Sequence, residues 1–199
     1  MLLSKNARLA QLVERSSDTR KVLGSNPRAR TNMGLSDEEL RLYSGEHLFY
    51  EIEMLFNISH IDMSNLRSQF LMNILIESFG LHLRNLITFL YPTQNPFSTD
   101  IYARDYFPIE NEWRRIAPPL SITLASAKRR TDKELGHLTT ERIAGFPDYK
   151  KWEMIPLTEE LKPILKLFCS SASKSKLDVK VTQLVSRIHG FLPRHSVEI

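Results

Sequence analysis

The stretch SNLRSQFLMNILIESFGLHLRNLITFLYP, residues 64–92, decides the fold class. Leu66, Phe70, Ile74, Leu75, Ser78, Leu81, Leu86 and Phe89 recur at helical spacing and mark the inward face of one long helix over about 64–90. Tyr91-Pro92 stops it, because the residue before a proline is driven out of helical backbone. The same stretch is the most apolar in the chain, yet Asn73, Glu77, His82, Arg84 and Asn85 interrupt it. It falls short of the roughly 20 apolar residues that cross a bilayer. No membrane span is expected, and a soluble, cytoplasmic protein is.

Upstream, Ser36-Asp37-Glu38-Glu39 has capping-box spacing, with acids in the first turn where the helix dipole favours them. Leu40, Tyr43, His47, Leu48, Ile52, Leu55 and Phe56 carry this first helix to about Asn57, and 59–63 form the turn. Downstream, residues 92–120 are proline-punctuated and aromatic, with IENEWRRIAPP at most a two-turn helix. Connections of that length in a compact domain often hold function. Pro118-Pro119 opens a third helix over 120–138, and Gly145-Phe146-Pro147 closes the irregular segment after it. Thr158-Glu159-Glu160 caps a fourth helix to about Ser171, with Pro163 near its first turn, and 177–190 make a last amphipathic helix. There is no convincing strand, repeat or glycine-rich phosphate loop. The expected fold is all-α, an up-and-down bundle of four to five helices over residues 36–199, with a long ordered loop between the second and third helices.

At 199 residues and 42% hydrophobic the chain can bury a substantial core. A single cysteine, Cys169, excludes an internal disulfide and a Cys-based zinc knuckle; in an apolar helix it reads as a core residue. The net charge of +4 is unevenly placed. Residues 1–35 carry seven basic against two acidic side chains, leaving 20 basic and 21 acidic in the remainder. Basicity therefore belongs to the tail, and phosphate binding by the body must rest on local clusters.

That tail, 1–35, is expected to be poorly ordered. Its residues 10–30 resemble a translated transfer-RNA gene: Gly24-Ser25-Asn26-Pro27 can be encoded by the T-arm box, and Ala10-Gln11-Leu12-Val13-Glu14-Arg15, in the same frame, by the D-arm. A read-through, or a start codon assigned too far upstream, is the expected origin. A targeting peptide is the competing reading, weakened by Glu14 and Asp18 and by Asn26-Pro27 and Gly34, which break an amphipathic helix.

The candidate chemistry centres on KRRTDKELGHLTTER, residues 128–142. Seven positions separate Arg130 from His137, two helical turns, which sets both side chains on one face about 10 Å apart along the axis. A guanidinium there can hold a phosphate while an imidazole moves a proton. Within the long helix, His82, Arg84 and Asn85 are polar groups that are costly to bury unpaired. They read either as a structural set, with Arg84 paired to Glu77 or to an acid of the first helix and His82 satisfied in the core, or as a site shared with His137 and Arg142.

The Arg-x(4 to 6)-His arrangement at the end of a bundle helix resembles the HEPN superfamily. So does HLRNLITF followed some fifty residues later by KELGHLTTER, which is similar to uncharacterised bacterial HEPN-like bundle proteins over about 35–168. Arg84-Asn85 also resembles the family's Arg-plus-polar opening, but no histidine follows at the required distance. The resemblance implies a metal-independent ribonuclease in a toxin, defence or mobile-element setting, its site formed across a homodimer. RNA would be the substrate, and a protein partner or antitoxin the regulator. Arg130 and His137 would be the catalytic pair, with His82, Arg84, Asn85, Lys133 and Arg142 supporting or phosphate-binding, and no cofactor. The alternative is a non-catalytic helical interaction or structural module.

Glu134-x-x-His137 is only half of a di-iron carboxylate site, and a mononuclear set of His47, Glu51, His82 and His137 competes with a simple i,i+4 pair, so no metal is expected. Lys128-Arg129-Arg130 with Lys133, Arg114-Arg115 and Lys150-Lys151 could meet a phosphodiester backbone. Tyr102, Tyr106, Phe107, Trp113 and Tyr149 could stack on bases or plug the end of a bundle, and the plug is the expectation. Gly-x-Ser-x-Gly is absent, so serine hydrolysis has no support.

Overall fold

Ser36 starts the first helix as its spacing predicts. Its hydroxyl accepts from the Glu39 amide at 3.2 Å, while the Glu39 carboxylate accepts from the Ser36 amide at 2.9 Å. The computed structural model describes residues 34–92, 97, 99–109, 111–144 and 151–190. The expectations for residues 1–33, Gly145-Phe146-Pro147, Tyr149 and Lys150 lie outside the described residues.

Helix α1, Asp37–Tyr43, passes through a π turn, Ser44–Leu48, into α2, Phe49–Ser59. A single helix was expected here. The extra residue of the π turn lets the N-terminus of the last helix approach closely: the Ser44 hydroxyl accepts from the Asp178 amide at 2.9 Å, and a β-carbon on Gly45 would lie 2.9 Å from the Asp178 side chain. Helix α3 spans Gln69–Leu90. It begins at Gln69 rather than near Ser64 because Asp62 accepts from the Ser64 amide at 3.0 Å and draws Met63–Asn65 into a 3-10 turn.

The face that α3 buries is Phe79, Gly80, His82, Leu83, Leu86, Ile87, Phe89 and Leu90. Phe70, Ile74 and Leu81, expected inward, are 71%, 44% and 49% exposed. Gly80 explains the rotation. A β-carbon there would sit 2.5 Å from a Leu135 methyl, so the helix turns its one side-chain-free position towards the neighbour that must come closest.

A 3-10 turn, Ala103–Tyr106, and helix α4, Glu112–Ile116, follow α3. Tyr102, Tyr106, Phe107 and Trp113 are buried, the Trp113 indole donates to the Leu90 carbonyl at 2.7 Å, and the rings of Tyr106, Phe107 and Trp113 meet Phe168 edge-on. These aromatics plug the bundle, and their burial leaves no ring face for a base. Helix α5, Ile122–Arg130, is capped by Ser121 and runs into a second π turn, Thr131–Leu135, where the expected helix to 138 ends; α6 is Glu141–Ala144.

Helix α7, Met154–Ser171, begins four residues before the predicted cap. Thr158 does not cap it; buried within the helix, its hydroxyl donates back to the Met154 and Ile155 carbonyls, and Pro163 falls in the helix interior. Helix α8 is Val179–Gly190. The fold is an all-α bundle with no strand among the described residues. In it α3 lies between α2 and α5, α7 packs on α2 and α5, and α8 packs on α2 and α7.

Candidate functional site

The polar residues inside α3 organise the site. His82 is only 4% exposed, and its Nδ1 lies 2.8 Å from a Glu51 carboxylate oxygen, while the Asn85 amide donates to both oxygens of the same carboxylate at 3.2 Å. Tyr50 meets the imidazole edge-on from the other side. A buried imidazole and an amide at i and i+3 on one helix thus share one acid from the next helix, which satisfies groups that would otherwise be costly to bury.

Arg84 leaves α3 in the other direction. Its partner is neither Glu77 nor an acid of the first helix, as expected, but Asp132 in the second π turn: Nε lies 2.5 Å from Oδ1, an ionic contact without hydrogen-bond geometry. Lys128 of α5 donates to the other oxygen of Asp132 at 3.1 Å.

Between these two clusters a cleft of about 420 Å³ opens over α3. Glu51 and Tyr43 line it from the α1–α2 side, Arg84 and Asn85 from α3, Lys128 from α5, and Asp100 and Tyr102 from the segment after α3. Leu48, Leu86 and Phe89 give it an apolar floor. The Tyr102 hydroxyl donates to Asp100 at 3.1 Å. Burial, and then the charges of Glu51 and Asp100, push the Tyr43 phenol above its ordinary pKa and keep it a neutral donor. Both π turns border this region, since Leu48 lines the cleft and Asp132 holds its two cations. Irregular helical turns of this kind gather at functional sites.

Arg130, Lys133, His137 and Arg142 do not line the cleft. All three guanidinium nitrogens of Arg130 already donate: Nε and Nη2 to Glu134 at 3.1 Å each, and Nη1 to the Lys151 carbonyl at 3.3 Å, with the guanidinium carbon 4.4 Å from the centre of the Trp152 ring. His137 is exposed and lies two residues beyond Leu135, the last residue of the second π turn, so the expected spacing of two turns along one helix is not kept. Arg142 donates to the Leu135 and His137 carbonyls at 2.9 and 3.0 Å and serves as a C-terminal cap. Lys133 is exposed. The basic run is neutralised locally, Lys128 by Asp132, Arg129 by Glu141 and Arg130 by Glu134.

Among the described residues no three His, Cys, Asp or Glu converge as metal ligands. The mononuclear set does not assemble: His47 stands against the Tyr43 ring and is 57% exposed, apart from the Glu51–His82 pair. No described helix is long and apolar enough to cross a membrane. Compared with known proteins, the chain matches no family model, no curated protein and no solved structure.

The sequence singles out His82, Arg84 and Asn85 but places Glu51 beside His82 only as a candidate metal ligand, and Lys128 only in the basic run. The signal was available for Glu51. His82 and Asn85 at i and i+3 inside an apolar helix call for one shared acid on a neighbouring helix.

Proposed function

We propose that this chain is a non-catalytic helical module that acts by binding, and that it binds a second copy of itself. The observation that carries the first half is the state of Arg130. A guanidinium filled by Glu134, a carbonyl and an indole face has no free fork for a phosphate. In the HEPN-like reading that fork is the catalytic clamp.

The binding face is the outer stripe of α3. Phe70, Ile74 and Leu81 fall within one narrow arc of the helix and stay in water, and exposed apolar stripes of this kind mark association surfaces. Glu77 lies beside the stripe on α3 and Arg67 stands two residues before the helix begins, both exposed and without an ion pair among the described residues. Antiparallel, two-fold pairing centred near Met72 sets Phe70 against Ile74 of the second copy and brings Arg67, from the segment leading into the helix, to the end where the second copy's Glu77 lies, so the surface is complementary to itself.

One observation favours the ribonuclease reading: His137 and Lys133 are both exposed. Light scattering of the full chain and of three variants, together with an RNA-degradation assay, separates the two. Arg67→Glu and Glu77→Arg each weaken self-association, the double variant restores it, and the wild type leaves RNA intact. RNA cleavage by the wild type that disappears in His137→Ala overturns the non-catalytic reading. A wild type monomeric at all concentrations overturns the pairing.

A further inference from the structure

The cleft over α3 carries opposite charges on its two flanks. On the α1–α2 flank stand Glu51, fixed from behind by His82 and Asn85, and the neutral Tyr43, with Asp100 beside them. Towards α5 stand Arg84, from α3, and Lys128, from α5 itself, joined through Asp132. The three side chains are partly exposed, 25% for Glu51, 45% for Arg84 and 20% for Lys128. Arg84 comes nearest to Asp132 through Nε, and among the described residues its two terminal nitrogens make no hydrogen bond, which leaves a planar donor pair.

This distribution excludes the simpler ligands. A plain anion would meet Glu51 and Asp100 as well as two cations, and a plain cation would meet Arg84 and Lys128. A ligand with one charge of each sign at opposite ends matches both flanks. The separation is set by the fold, because α2 and α5 flank α3 and neighbouring helices lie roughly 8–10 Å apart. Leu48, Leu86 and Phe89 floor the space between, which calls for an apolar spacer. A volume of about 420 Å³ suits a small metabolite.

We propose that the cleft binds a small zwitterion whose ammonium and carboxylate are separated by a short aliphatic spacer. The ammonium is held by Glu51 and Asp100, with Tyr43 beside it, and the carboxylate by the terminal nitrogens of Arg84 and by Lys128. This site is separate from the outer stripe of α3 and does not depend on pairing.

A ladder of ω-amino acids tests it: glycine, 4-aminobutyrate, 6-aminohexanoate and 8-aminooctanoate, titrated calorimetrically into the full chain, with hexanoate and hexylamine as single-charge controls. Affinity peaks at an intermediate length, and each control binds about tenfold or more weakly than 6-aminohexanoate, the loss expected when one charge-assisted set of hydrogen bonds is removed. Arg84→Gln removes the discrimination against hexylamine, and Glu51→Gln removes that against hexanoate. Lys128→Gln replaces the first variant should it fail to fold, as judged by circular dichroism. Absence of binding by every member at millimolar concentration overturns the proposal, as does binding of either control as tightly as the zwitterion. Affinity that rises steadily with chain length also overturns it, since that outcome is a greasy slot only.

Discussion

Two side chains, one in the core and one packed against it, make stability depend on pH in a predictable direction. Burial pushes the Cys169 thiol from an ordinary value of 9.0 to about 12, and raises the Tyr106 phenol, whose hydroxyl donates to the Leu40 carbonyl at 3.2 Å. Above the unfolded thiol's pKa, only the unfolded chain gives up its proton, so stability falls as pH rises between about 9 and about 12. Urea midpoints measured across that window should decline, and Cys169→Ala should decline less steeply; equal slopes would remove Cys169 from the account. The sequence reads Cys169 as a core residue from its apolar surroundings, and in the fold it is partly buried, packed against the core. His82 was not resolved in the same way, because the sequence shows a buried imidazole's cost but not which acid meets it.

At the scale of the helix, local chemistry and tertiary contact can be told apart. The Ser36–Glu39 capping box is written in four residues and forms as written, because both of its hydrogen bonds close within one turn. The phase of α3 is not local. Its apolar residues surround much of the helix, so periodicity supports more than one inward face, and the choice falls to Gly80 against Leu135 and Thr131. Gly80→Val should therefore cost about 1–3 kcal/mol, the usual penalty of overpacking a tight contact, read as a lowered urea midpoint with unchanged m-value. No change in the midpoint would place the phase elsewhere. The π turns were invisible for the same reason: Ser44–Leu48 is shaped by the approach of Asp178, more than a hundred positions away in sequence.

Across the whole molecule, Phe168 of α7 is the hub. It is fully buried and meets Phe89 of α3, Tyr106, Phe107 and Trp113 edge-on, so one ring joins two helices and the segment between α3 and α5. Phe168→Ala should cost about 3–5 kcal/mol and erase much of the near-ultraviolet circular dichroism from Trp113 while leaving helical signal; a near-native spectrum would deny the plug its structural role. The sequence by itself determined that this chain is helical, where its first helix is capped, and that polar groups are set inside an apolar helix, because those signals are complete within a few turns. Tertiary structure alone decided that Glu51 rather than His137 meets His82, that Asp132 meets Arg84 as well as its i,i+4 neighbour Lys128, and that Trp152 and the Lys151 carbonyl close on Arg130 beside its i,i+4 partner Glu134. Side chains with several partners in reach are assigned by the distances between helices, and those distances are set by packing.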